Sequence, residues 1–173
     1  MNILNLPTGK YTREQQQRVE QALQNGLLPI IGKGCDRTVF DLGNGFICKR
    51  EDLNHHHNYS GYERYSDPYE YEYQNESEYL LFQKLSNEQR KFVYRITNFW
   101  KNKKQSFLIM EKGSRDYYSQ HLENIEDWES VEYLILSNRI RFFANKISSY
   151  TYICDIHARN ISTHYKVFDY GLQ

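Results

Sequence analysis

The segment from Leu27 to Arg50 constrains the fold more than any other part of the sequence. An apolar run, LLPIIGKG, breaks at glycines, and two strand-like runs, RTVFDL and GFICKR, are joined by Gly43-Asn44-Gly45. Glycine and asparagine between two such runs are a strong signal for a tight turn. The segment therefore predicts three consecutive strands in an antiparallel meander.

Three segments have helical patterns. Thr12 to Asn25 contains strong helix formers behind a threonine cap. Its apolar stripe consists of only Val19 and Leu23, so we expect this helix to pack at the edge of the body. In residues 75–85 and 126–148, apolar side chains recur at helical spacing, and the second of these segments has the clearest amphipathic pattern.

The remaining segments are strand-like or polar. Two runs, VYRITNFW and QSFLIME, predict strands around a lysine-rich turn, and ISTHYKVFD predicts a hairpin near the end. Residues 51–74 are rich in tyrosine and lack sustained periodicity, so we interpret them as a long surface loop. The three histidines in it, residues 55–57, are interpreted as solvated. The order of elements predicts an α+β fold with a mostly antiparallel sheet.

Composition excludes several classes of partner. Lys+Arg and Asp+Glu number 22 each, so no net charge draws the chain to nucleic acid or anionic lipid. No apolar run approaches the ~20 residues that span a bilayer. Cys35, Cys48 and Cys154 are an odd, widely spaced set that fits reduced thiols better than disulfides or a zinc site. We therefore expect a soluble, cytoplasmic protein that does not bind nucleic acid or membranes.

Three features in the first half of the chain point to chemistry. Gly32 and Gly34 form a glycine turn that would let backbone approach phosphates, although Arg37 replaces the third glycine of G-x-G-x-x-G. Lys49 ends the third predicted strand. Glu78 lies on the apolar face of its helix, where an unpaired charge would be costly. The sequence predicts that Lys49 and Glu78 are partners. The alternative for the glycine motif is a plain turn, and the alternative for Lys49 is an edge lysine that reaches water.

A second set of polar residues follows near the end, in 155-DIHARN-160 and 169-DYG-171. Asp155 and Asn160 are close enough in sequence for one loop to present both. Asn160 and Asp169 together offer the hard oxygen ligands that magnesium prefers, and this leaves Asp155 to orient a hydroxyl. A metal-dependent hydrolase built on His157, His164 and Asp155 is a weaker alternative, because their spacing matches no zinc pattern.

In type and order, these residues resemble the protein-kinase-like superfamily. The motif D-x-H-x-x-N is closer to aminoglycoside and other small-molecule kinases, and to minimal bacterial or phage kinase-like proteins, than to eukaryotic protein kinases. The segment 107-FLIMEKG-113 resembles the hinge that meets adenine. The resemblance implies catalytic roles for Asp155, Lys49 and Glu78, nucleotide contacts by Gly32, Gly34, Lys49 and the backbone of Met110, Glu111 and Lys112, and magnesium ligation by Asn160 and Asp169.

The resemblance also implies an architecture of one kinase-like domain over residues 1–173. It would comprise a helical extension (1–26), an N-lobe with an antiparallel five-stranded sheet and one helix (27–111), and a truncated, mainly helical C-lobe with the catalytic loop (112–173). The sequence departs from the pattern in three ways. Ile153 stands where a histidine is usual, the hairpin after Asn160 is short, and no activation loop or later helices follow Gln173.

The function that the resemblance implies is ATP- and magnesium-dependent phosphotransfer to a protein hydroxyl. A small molecule is the second choice for the phosphate acceptor. The alternative is a catalytically weak kinase-like module that acts by docking to a partner protein, for which the Tyr-rich stretch 59–73 would supply contacts. The short C-lobe predicts an apolar surface near residues 134–152, covered by a homodimer contact or by a protein partner.

Overall fold

The structure, a computed structural model, describes residue 4 and residues 6–34, 37–53 and 74–113. The predicted helix 126–148, the C-terminal hairpin, the surface at 134–152 and the three histidines at 55–57 lie outside these residues. The described elements run in the order α1 (Arg13–Gln24), β1 (Ile30–Lys33), β2 (Arg37–Asp41), β3 (Phe46–Asp52), α2 (Gln74–Lys84), a short 3₁₀ helix (Gln89–Phe92), β4 (Ile96–Lys101) and β5 (Gln105–Glu111).

The strands form one antiparallel sheet in the order β1-β2-β3-β5-β4. The predicted meander of β1, β2 and β3 and the five-stranded antiparallel sheet are confirmed. Gly43 and Gly45 adopt φ of 74° and 83° in the turn between β2 and β3, a region that glycine enters without steric cost. β5 inserts between β3 and β4, so β3 and β5 are inner strands and carry much of the buried surface.

Helix α1 packs on one face of the sheet and belongs to the core. Thr12 caps it through a capping box with Gln15. Val19, Ala22 and Leu23 are buried in a cluster with side chains of three strands, namely Phe40 (β2), Phe46 and Cys48 (β3), and Phe107 and Ile109 (β5). The expectation that α1 packs at the edge is wrong, because Ala22 widens the stripe and the segment before the helix adds Leu6 and Tyr11.

Two predicted boundaries also differ from the structure. β3 continues to Asp52 and α2 begins at Gln74, so the predicted loop 51–74 is too long at both ends. The physical reason is Glu51, whose carboxylate is buried at the end of β3 and accepts hydrogen bonds from the first backbone N–H groups of α2. A sequence pattern assigns Glu51 to the polar segment that follows it, whereas in the structure this residue joins two elements.

The contacts divide the described residues into two compact units. The first comprises the residues up to Tyr79 together with Ile96–Lys112 and contains the sheet, α1 and the start of α2. The second includes Leu80–Arg95 and Gly113. Within the second unit, Leu81, Phe82, Leu85, Val93 and Tyr94 are buried. Among the described residues, no helix is long and apolar enough to cross a membrane.

Candidate functional site

The site is centred on Lys49, in the middle of β3. Lys49 is opposite Val39 in β2 and Leu108 in β5, and only 3% of its surface is exposed. Because side chains alternate along a strand, Lys49 points to the sheet face opposite that of Cys48, which packs with α1. Its ammonium donates hydrogen bonds to Glu78 Oε1 at 2.8 Å and Oε2 at 2.9 Å. The ion pair that the sequence predicts is present.

Glu78 has no exposed surface and is bound by a second cation. The Arg37 guanidinium donates from Nη1 to Glu78 Oε2 at 2.8 Å. The carboxylate therefore accepts three charge-assisted hydrogen bonds, the kind that is shorter and stronger than a bond between neutral groups. An isolated buried charge would be costly, and here two cations compensate it.

Sequence reasoning missed the part of Arg37 in this cluster. It treated Arg37 only as a substitution for a loop glycine. A signal was available, because the register across the Gly43–Gly45 turn pairs Arg37 with Glu51 and Val39 with Lys49. Arg37 and Lys49 therefore lie on the same face, two residue pairs apart.

Buried hydrogen bonds fix the start of α2 one turn before Glu78. Glu51 accepts from the backbone N–H groups of Gln74 at 2.7 Å and Asn75 at 3.0 Å, and from the Ser106 hydroxyl at 2.8 Å. The Asn75 amide group donates to the carbonyl of Lys49 at 3.0 Å and to Ser106 Oγ at 3.0 Å. These contacts join α2 to β3 and β5 and orient Glu78 towards the sheet. A carboxylate at a helix N-terminus also interacts favourably with the helix dipole.

Gly32 and Gly34 lie beside Arg37 in the first hairpin. Gly32 is in β1, and the Gly34 N–H donates to the carbonyl of Arg37 at 2.8 Å. Neither glycine has a positive φ, and a Cβ would meet its nearest atoms at 3.6 Å for Gly32 and 3.7 Å for Gly34, ordinary contact distances. The described structure therefore has room for alanine at both positions. Among the described residues, no neighbour gives a steric reason for glycine at either position.

Of the predicted hinge residues, Met110 and Glu111 are the last two of β5, and Lys112 follows the strand. Met110 is fully buried and Glu111 is opposite Phe46. The Lys112 N–H donates to the carbonyl of Gly45 at 2.8 Å, so this amide is used within the sheet unit. The Lys112 ammonium bonds Asp41 and holds the pKa of that carboxyl below its usual range.

The structure thus brings together Lys49, Glu78 and Arg37, with Gly34 bonded to the backbone of Arg37. Asp155, Asn160 and Asp169 lie outside the described residues, so their roles stay predictions. Within the described ranges, no group of three or more His, Cys, Asp or Glu side chains could hold a metal ion.

Comparison with known proteins gives the fold. No protein-family model and no curated protein matches the sequence. Solved structures do match, among them WbdD in a co-crystal with the kinase inhibitor LY294002, with 18% identity and a TM-score of 0.52 over 83% of this chain and 32% of that one. Rad53 in complex with AMP-PNP matches with 17% identity and a TM-score of 0.48 over 92% of this chain and 43% of that one. The chain spans less than half the length of either matched chain. The match to WbdD shows that the fold is kinase-like.

Proposed function

We propose that this protein is an ATP- and magnesium-dependent phosphotransferase. The observation that carries the proposal is the buried Lys49–Glu78 pair within a kinase-like fold. For stability alone, well-packed apolar residues often serve as well as a buried ion pair. A lysine ammonium held in place by a glutamate has a specific use in phosphoryl transfer, where it binds phosphate oxygens as a fixed positive charge.

The glycine turn supports the same proposal. The described neighbours leave room for a side chain at Gly32 and Gly34, so the glycines suit a ligand that must approach the backbone closely. Backbone N–H groups in such a turn bind anionic oxygens. The turn leads directly into Arg37, whose guanidinium bonds the carboxylate that also holds Lys49.

The proposed reaction assigns roles to residues of both halves of the chain. Lys49 binds phosphate oxygens of ATP and Glu78 orients its ammonium. Asp155 accepts the proton of a protein hydroxyl while the oxygen of that hydroxyl forms a bond to the γ-phosphorus. The bond between the γ-phosphorus and the β–γ bridging oxygen breaks, and ADP leaves with that electron pair.

The proposal includes magnesium because two predicted site residues have suitable oxygen ligands. Asn160 and Asp169 have the amide and carboxylate oxygens that magnesium binds, and they would hold the ion. When bound, magnesium neutralises charge on the phosphates. WbdD was co-crystallised with a kinase inhibitor, which is in line with a nucleotide site in this fold. The match covers 32% of the WbdD chain.

The decisive experiment measures transfer of label from γ-labelled ATP, to the protein itself and to a panel of protein substrates. Wild type should transfer label only with MgCl2. Asp155→Asn should abolish transfer and retain Mg·ATP binding, whereas Asp169→Ala should weaken magnesium-dependent binding. Binding without transfer in wild type would favour the docking module. No binding by wild type in calorimetry or a thermal-shift titration would refute the proposal, because a ligand of the folded state must raise the melting temperature.

Gly34→Ala gives a second test that relies only on described residues. Its unliganded melting temperature should match that of wild type, because a Cβ fits there. Its affinity for Mg·ATP should fall, because the backbone can no longer approach the phosphates as closely. An unchanged affinity would remove the glycine turn from the proposed site.

A further inference from the structure

Arg37 and Lys49 approach one oxygen of Glu78. Arg37 Nη1 is 2.8 Å and Lys49 Nζ is 2.9 Å from Glu78 Oε2, so the two cations are neighbours across a single atom. Two like charges at this separation repel each other, and an anion close to both of them lowers that repulsion. An anionic ligand that reaches the Lys49 ammonium would therefore also come within reach of the Arg37 guanidinium.

We propose that Arg37 is a second phosphate-binding residue, with the β- and γ-phosphates of a nucleoside triphosphate as its ligand. The inference rests on the proposed function and adds to it a residue that replaces a loop glycine. Arg37 is the first residue of β2, and the Gly34 N–H fixes its carbonyl at 2.8 Å. The backbone of Arg37 is therefore anchored at the exit of the glycine turn. A planar guanidinium can bind a carboxylate and a phosphate oxygen with different N–H groups.

Exposure distinguishes Arg37 from the carboxylate that it binds. Its side chain is 11% exposed, compared with 4% for Lys49 and none for Glu78. Of these three side chains, that of Arg37 therefore has the largest exposed fraction. Glu78 holds both cations on the sheet face to which Lys49 points. In the proposed complex, phosphate oxygens accept hydrogen bonds from both cations.

The competing explanation is that Arg37 only latches β2 to α2. A latch would affect the stability of the free protein and would weaken adenosine and ATP binding equally. A phosphate contact weakens binding only of ligands that carry the phosphates. The ratio of ATP affinity to adenosine affinity is therefore a readout that a latch does not change, unless the latch also positions Lys49.

Calorimetric titrations of the full chain with ATP, ADP, AMP and adenosine, all with MgCl2, test the proposal. Arg37→Ala should weaken ATP binding by about tenfold or more, the size of a lost hydrogen bond between charged groups, and change adenosine binding less than about twofold. Arg37→Lys should recover part of the loss. Arg18→Ala is the matched control, because Arg18 pairs with Glu14 on the exposed side of α1, and it should change neither affinity. Arg37→Gln, which can still hydrogen-bond Glu78, replaces the alanine variant if that variant does not fold.

The same titrations in a Lys49→Ala background show whether Arg37 acts directly. If Arg37 binds phosphate, adding Arg37→Ala to Lys49→Ala should lower the ATP-to-adenosine ratio further. No further change would mean that Arg37 acts only through Lys49 and would overturn the proposal, as would an unchanged ratio in Arg37→Ala alone. Failure of wild type to bind any of the nucleotides would instead refute the proposed function, and the role of Arg37 with it.

Discussion

Replacing Glu78 with glutamine tests the energetic centre of the site. The substitution keeps the shape of the side chain and removes its charge, so the Lys49 ammonium and the Arg37 guanidinium lose their shared counter-charge in a buried place. Removing one partner of a buried ion pair costs about 3–5 kcal/mol. We expect Glu78→Gln to lower the free energy of unfolding by that amount.

Replacing Lys49 with methionine should cost less. In Lys49→Met, Glu78 keeps its bond to Arg37, so the buried carboxylate still has a cation. We expect a loss of about 1.5–3 kcal/mol, the range for hydrogen bonds that involve charged groups. The double variant should lose less than the sum of the single variants, because residues in one hydrogen-bonded cluster couple by about 0.5–3 kcal/mol.

Urea unfolding followed by circular dichroism measures these differences. Hydrogen exchange of peptides from β3 and β5 shows whether the loss of stability is in the sheet. Glu14→Gln is the matched control, since the exposed pair of Glu14 with Arg18 should contribute less than about 1 kcal/mol. A Lys49→Met protein as unstable as Glu78→Gln would refute the reasoning, because it would mean that Arg37 does not compensate the carboxylate.

Three further predictions concern other parts of the first unit. Thr12→Ala removes the side-chain cap of α1 and should cost about 1 kcal/mol in urea unfolding; no loss would mean that the capping box is not formed. Burial raises the pKa of the Cys48 thiol. In a Cys35→Ser, Cys154→Ser protein, a thiol reagent at pH 8 should therefore react with Cys48 only after denaturant is added. Fast reaction of the native protein would contradict the burial of Cys48. Burial also raises the pKa of Tyr11 from 10.0 to about 12, so its contribution to stability is complete below pH 10 and is lost as the pH rises towards 12. Tyr11→Phe should lose less stability than wild type over that interval. Parallel pH profiles of the two proteins would count against this assignment.

Several features of the site could be predicted from the sequence because they depend on neighbouring residues. The turn at residues 43–45 follows from residue types that favour positive φ. Lys49 and Glu78 could be paired without coordinates, because a carboxylate on an apolar helix face needs a cation and the third predicted strand contains a lysine. The antiparallel sheet was predicted for the same kind of reason, from alternating runs with short connections.

Other features were decided by the tertiary structure, because they depend on which distant segments meet. The position of β5 beside β3, rather than at an edge, sets which side chains face Lys49. The burial of Glu51 depends on the start of α2, more than twenty residues away in sequence, arriving at the end of β3. Arg37 reaches Glu78 only because the β2–β3 register places it on the same face as Lys49 and α2 packs over that face. A sequence states which charges need partners, whereas strand register and helix packing determine which partners they find.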